Sequence, residues 1–193
     1  MDAFSISDFP PVALGFFGLG TGYLIWGPQE LFGRPIRDTM VDRATGVWGL
    51  WMPGFCQFVT GIILFVGLTW FKVFDSRDLY MAALAFSAYG IHWFALGWNR
   101  FAGNSPKPNG GMSVAFTILS VTGAIVFFHE DVWPVGVLFI GLTWVYVSDF
   151  FESIGIAIAK CSLGLAHVLT GLWLMYLTFA TALNFSAGWT LPA

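Results

Sequence analysis

Six stretches of this sequence carry no Asp, Glu, Lys or Arg, and their lengths constrain the fold more than any other feature. They run Phe9–Gln29, Gly46–Phe71, Leu79–Asn99, Pro108–Phe128, Val132–Ser148 and Cys161–Ala193. A helix rising ~1.5 Å per residue needs about 20 residues to cross ~30 Å of hydrocarbon, and only the fifth run is near the short limit. All the charged residues, 8 basic and 11 acidic, lie between these runs or in the N-terminal tail. A soluble chain that is 57% hydrophobic and 10% charged could not cover its own surface with polar groups. The reading is therefore all-α: a polytopic membrane protein, one domain over residues 1–193. Its six transmembrane helices are expected at about 11–27, 47–71, 79–98, 111–128, 133–150 and 161–184.

The tail before the first run holds Asp2 and Asp8 and no basic residue, so it lacks the positive region of a cleaved signal peptide. The first run is accordingly expected to stay in the protein. Net charge is −3 and no basic cluster exists to suggest a nucleic-acid partner or a polybasic lipid site; the apolar runs themselves give the lipid bilayer of a cell (plasma or inner) membrane as the surroundings. Arg34, Arg37, Arg43, Arg100, Lys107 and Lys160 fall in the first, third and fifth joins; the others hold only Lys72 and Arg77. By the positive-inside rule this bias places both termini outside. The longest join, Pro28 to Thr45, mixes charge with Pro and Gly and has room for a short interfacial helix. Cys56 and Cys161 have no CxxC or Cys/His spacing, so they read as packing residues and no metal site is expected.

The 23 glycines shape the bundle. Lipid tails are as apolar as leucine, so membrane helices associate by close packing that small residues permit. Gly18 and Gly22 form a GxxxG pair in the first helix; Gly54, Gln57 and Gly61 share a face of the second; Gly164 and Gly171 repeat the pattern in the sixth. These small faces are expected to meet near an axis.

Four polar side chains interrupt the runs: Gln57, Tyr89, His92 and His167. An amide or imidazole facing lipid is costly, so each should point inward. Gln57 is either an interhelical hydrogen-bonding group or a donor to a substrate oxygen. Tyr89 shares a stripe with Phe86 and Trp93, which suits core packing or a gate, and Gly90 beside it would let a neighbouring backbone approach. His92 and His167 are either neutral structural imidazoles or proton-exchanging sites. His129, next to Glu130 and Asp131, reads as interfacial. No nucleophile elbow, phosphate-binding loop or HExxH occurs, and the histidines lack nearby carboxylates in sequence, so no enzyme and no cofactor are expected. A haem held by His92 and His167 on facing helices is the alternative kept open.

Three of these stretches resemble a known family. Gly54-Phe55-Cys56-Gln57-Phe58-Val59-Thr60-Gly61 is similar to the GxxQxxxG stretch in helix two of the acetate uptake transporter family, which includes the succinate–acetate permeases. Phe86-Ser87-Ala88-Tyr89-Gly90-Ile91-His92-Trp93 resembles its FxSYGxFW, and Pro11-Val12-Ala13-Leu14-Gly15-Phe16-Phe17-Gly18 resembles its PAPLGLxG. Phe139 to Thr143 and Gly164 to Tyr176 can be laid on its helices five and six. The chain departs at Val12-Ala13 for Ala-Pro, Pro10 for an asparagine, Leu19 for an aromatic, His92 for a phenylalanine and His167 for a glycine.

The resemblance implies a six-helix protomer assembled as a hexamer, each protomer carrying acetate, or succinate, by proton symport. Its termini would be cytoplasmic, against the charge bias. It places the pore constriction at Leu19, Tyr89 and Leu142, and substrate binding at Gln57, Tyr89, Pro11, Gly15 and Gly18; His92 and His167, where the chain departs from the family, are expected as proton sites special to this sequence. Two other functions remain in view: a channel for a small neutral solute such as urea, ammonia or a short amide, and a membrane-anchor or haem subunit of a larger complex.

Overall fold

The computed structural model describes residues 10–193. Among them six long helical segments follow one another: α1 (Val12–Phe32), α2 (Thr39–Phe71), α3 (Arg77–Ala102), α4 (Asn109–His129), α5 (Trp133–Ser153) and α6 (Ala157–Ala187). Five of them, α2 to α6, are long and apolar enough to cross a membrane. The first is 21 residues long, but its glycines, aromatics and polar C-terminal turn dilute its hydropathy. This is the architecture of a multi-pass membrane protein, all-helical among the described residues.

The helices run further than the charge-free stretches. α1 continues through Glu30 to Phe32, α2 begins at Thr39, and α5 carries Asp149 and Glu152. The expected interfacial helix between Pro28 and Thr45 does not exist as a separate element. Instead the Asp38 side chain caps α2, its Oδ1 accepting from the Val41 amide at 2.8 Å, and the helix runs straight into the second apolar run. His129, expected in a join, is the last residue of α4. A charge ends a hydrophobic run in sequence, yet the backbone ladder continues wherever no proline or left-handed residue stops it. α1 stops at Gly33 (φ 65°) and α3 at Gly103 (φ 72°), both in the conformation glycine adopts without strain.

α2 is not a uniform α-helix. It widens to π geometry at Leu50–Phe55, around Pro53, and again at Gly67–Phe71. Proline cannot donate to the helical ladder and crowds the preceding turn; a π bulge absorbs both.

Around the bundle the order of packing is α3, α2, α1, α6, α5, α4, with a weaker seam between α4 and α3. Small residues set the closest approaches. A β-carbon at Gly18 would sit 2.5 Å from that of Cys56 and against the Met52 carbonyl, so α1 and α2 touch there nearly backbone to backbone. A β-carbon at Gly171 on α6 would lie 3.1 Å from that of Tyr23 on α1. The small faces of α1, α2 and α6 do not all meet one another, however: Gly54 and Gly61 face Phe94 and Ser87 of α3.

Candidate functional site

Leu19 of α1, Tyr89 of α3 and Leu142 of α5 are each almost fully buried. Together with Gln57 of α2 they line one cavity, of about 230 Å³. All six helices contribute to its wall, from Pro10 and Phe16 through Ala82 and Phe86 to Phe127, Phe139 and Thr181. The cavity therefore lies on the bundle axis. It reaches the end of the molecule where α1 and α3 begin and α6 finishes, marked by Pro10, Asp78, Val132 and Asn184.

A second cavity, of about 400 Å³, enters from the opposite end, where α1 and α3 finish. Its walls include Glu30, Arg100, Asn109 and Glu152 near the mouth, and Tyr23, His92, Trp93 and Tyr146 at depth. The deep residues of the two cavities stand three or four positions apart on each of three helices: Leu19 and Tyr23, Tyr89 and His92, Leu142 and Tyr146. That is about one helical turn, roughly 5.4 Å. One turn of side chains is all that separates the two.

This septum is aromatic and well ordered by its own contacts. Tyr89 stacks on Tyr146 with ring centroids 5.7 Å apart and planes 10° apart. His92 packs on Phe116 at 4.7 Å and its Nδ1 lies 3.4 Å from the Tyr146 hydroxyl. The Tyr89 hydroxyl is 2.8 Å from Ser120 Oγ, which in turn donates to the Phe116 carbonyl at 2.7 Å. A serine has one proton to give. With that proton on Phe116, the tyrosine donates to Ser120, so the phenolic proton is committed within the protein. The expected role of Tyr89 as a hydrogen-bond donor to substrate does not fit this geometry; its ring, standing in the septum, is what it presents.

Gln57 differs. It is 1% exposed, it lines the first cavity, and neither its amide nitrogen nor its amide oxygen has a protein hydrogen-bond partner. Buried polar atoms are nearly always paired, so both ends of this amide are free for whatever enters. The backbone approach expected at Gly90 is present. A β-carbon there would lie 2.5 Å from the Phe58 amide nitrogen, which brings α2, and with it Gln57, close to α3.

Pro11, Gly15 and Gly18, read above as substrate-binding, are not in the wall of either cavity. Gly15 lies under the Phe86 ring and Gly18 under α2. Their smallness is used for packing, which positions Phe16 and Leu19 rather than touching the space itself. His92 and His167 both line the second cavity, away from Gln57.

Carboxylates, expected to be lacking near the histidines, are present. His167 Nδ1 is 2.5 Å from Glu30 Oε2, bridging α6 to α1, and its ring lies 4.4 Å from that of Tyr23. Asp149 accepts from Ser113 Oγ at 2.5 Å, and Glu152 lines the same cavity. Arg100 bonds to Gln29 and to Asp42 (3.2 Å) while stacking over Trp26 at 4.3 Å, tying α3 to α1 and α2. In the connection before α2, Arg37 also pairs with Asp42 at 2.8 Å, and this hydrogen bond pushes its pKa up. Glu30, Asp149 and Glu152 were assigned to joins on charge alone. The signal that would have found them is periodicity: Tyr23, Trp26 and Glu30 continue one face of α1, as Leu142, Tyr146 and Asp149 do on α5.

Comparison with known proteins decides the fold. The chain superposes on the bacterial acetate channel SatP. The TM-score is 0.75, covering 97% of this chain and 98% of that one, at 16% sequence identity. No family model matches the sequence, and no curated protein matches it. At that identity the likeness to SatP is one of fold: a membrane-channel architecture shared from end to end.

Proposed function

We propose that this protein is a channel or transporter for acetate or a similarly small monocarboxylic acid, with all six helices crossing the cell membrane. One observation carries the reading: two cavities enter the bundle from opposite ends and stop one helical turn apart, at an aromatic and leucine septum. A solid bundle has no use for such an arrangement, whereas a permeation path needs it. The fold shared with an acetate channel supports the same conclusion.

In this reading Leu19, Tyr89 and Leu142 form the constriction and Gln57 the binding group beside it. Stripping water from a bare carboxylate in front of such walls costs several kcal/mol, because they return no hydrogen bonds. Travelling with a proton removes most of that cost, so the transport is proton-coupled. The Glu30–His167 pair and Asp149 are the groups of the second cavity that exchange the proton, with His92 next to the septum. The outward apolar side chains, such as Ile118, Ile125 and Leu172, are taken up by lipid and by neighbouring protomers of a hexamer.

Uptake of radiolabelled acetate into proteoliposomes tests the reading, with leak of the acid measured on empty vesicles. Flux well above leak, increased by an inward proton gradient, is the expected result. Flux equal to that of empty vesicles rejects it.

A further inference from the structure

Resting on that reading, we propose that Gln57 recognises the uncharged form of its ligand, a carboxylic acid or a primary amide, through a closed pair of hydrogen bonds. The argument starts from both ends of the side chain being free. Gln57 is 1% exposed and lines the first cavity, and its Nε2 and Oε1 both lack protein partners. Oxygen and nitrogen of a glutamine can be interchanged by a flip, but here the flip changes nothing, since both atoms are free. The site therefore asks for one acceptor and one donor side by side.

A neutral carboxyl group offers that pair, its carbonyl accepting from Nε2–H and its O–H donating to Oε1. A primary amide offers the same pair with N–H in place of O–H. A carboxylate offers acceptors alone, so one of its oxygens would face Oε1, oxygen against oxygen. A nearby cation could offset that repulsion, but among the described residues no Lys, Arg or His lines this cavity, and Asp78 is the charged side chain in its wall. The rest of the wall is mostly aliphatic and aromatic, suited to a methyl group and unsuited to an ion. The volume of about 230 Å³ holds several water-sized molecules, so an acid of four heavy atoms enters without rearrangement.

Binding and flux are read separately. Purified protein in lipid nanodiscs is mixed with acetate or acetamide, and saturation-transfer NMR follows each methyl signal at pH 5 and pH 8. Acetamide should bind equally at both. Acetate should bind at pH 5 and weaken by roughly a hundredfold or more at pH 8, following its neutral fraction, because a carboxyl group titrates near pH ~4–5. Gln57→Met, which keeps the length without hydrogen-bonding groups, should erase both signals while Tm stays or rises, since no protein hydrogen bond is lost. Gln57→Glu, able to offer donor and acceptor only while protonated, should bind acetic acid at pH 5 and acetamide at neither extreme better than wild type. Equal acetate binding at both pH values, surviving signals in Gln57→Met, or a lowered Tm in that variant each overturn the proposal. Acetate flux without acetamide binding overturns the proposal and leaves the acid-channel reading standing. Acetamide binding through Gln57 without acetate flux overturns that reading and leaves the proposal standing.

Discussion

Tyr89 and His92, three positions apart on α3, face opposite sides of the same septum, and their environments separate their roles. The Tyr89 ring stands between the two cavities while its hydroxyl is spent on Ser120. Tyr89→Phe should therefore keep the selectivity of acetate uptake and lower stability by about 0.5–1.5 kcal/mol, the value of one hydrogen bond. Tyr89→Ala should instead admit larger acids, read by competition of lactate and butyrate with labelled acetate; unchanged competition would remove the tyrosine from the constriction. His92 has its Nδ1 near Tyr146 and no protein partner at Nε2. His92→Phe keeps the ring packing against Phe116 and removes the imidazole proposed above to exchange protons next to the septum. The pH profile of acetate uptake should flatten in this variant; a profile identical to wild type would make His92 a packing residue. Glu30 and His167 form a buried pair, and removing one partner leaves the other uncompensated. Glu30→Gln, which preserves a hydrogen bond to the imidazole, should accordingly cost less stability than Glu30→Ala, by about 1–2 kcal/mol in chemical denaturation.

Among the elements, the contact of α2 with α3 matters most, because α2 carries Gln57 and α3 carries Tyr89. Gly90 sets their separation, with the Phe58 backbone filling the space a side chain would need. Gly90→Ala should force the helices apart, at about 1–3 kcal/mol for overpacking, and move Gln57 relative to the septum. Gly111→Ala is the control. Nothing lies within 4 Å of a β-carbon there, in the first turn of α4. Alanine at that position should leave stability unchanged or raise it by up to about 1 kcal/mol. Equal effects of the two substitutions on Tm would show that the close approach is not what holds the pair together. The π turn around Pro53 belongs to the same element, one helical turn before Gln57, and it sets the angle at which α2 delivers the amide to the cavity.

At the scale of the molecule, the six helices enclose two cavities, a polar one open at one end and a largely apolar one open at the other. The second cavity holds Glu30, Arg100, Asp149, Glu152 and His167, whereas the first holds Gln57, Asp78, Thr181 and Asn184 among mostly hydrocarbon side chains. In the proposed transport an acid would meet exchangeable protons in the former and be desolvated as a neutral molecule in the latter. The asymmetry predicts that uptake rises with acidification on either side of the membrane, because the neutral fraction rises, while Glu30→Gln alters only the response to pH on the side of the second cavity. Proteoliposomes sorted by orientation, for instance with a protease that cuts one exposed terminus, can separate the two sides. The assembly proposed above predicts a particle six times the 21.2 kDa chain by native mass spectrometry.

Much of this was legible along the chain. Where the charges are missing, hydrocarbon must surround the helix, so the number and rough position of the long helices follow from a one-dimensional pattern that solvation alone decides. Leu19, Tyr89 and Leu142 could be singled out through the family resemblance, and Gln57 through both that resemblance and the cost of a buried amide. Which side of each helix faced the axis, and what stood opposite, depended on how the six helices pack around that axis. That packing paired Glu30 with His167 across 137 positions of sequence, tied the Tyr89 proton to Ser120, turned Gly15 and Gly18 toward their neighbours, and left the Gln57 amide open at both ends. Solvation is a property of each segment alone, whereas a hydrogen bond needs two groups within about 3 Å, and only the folded chain brings them there.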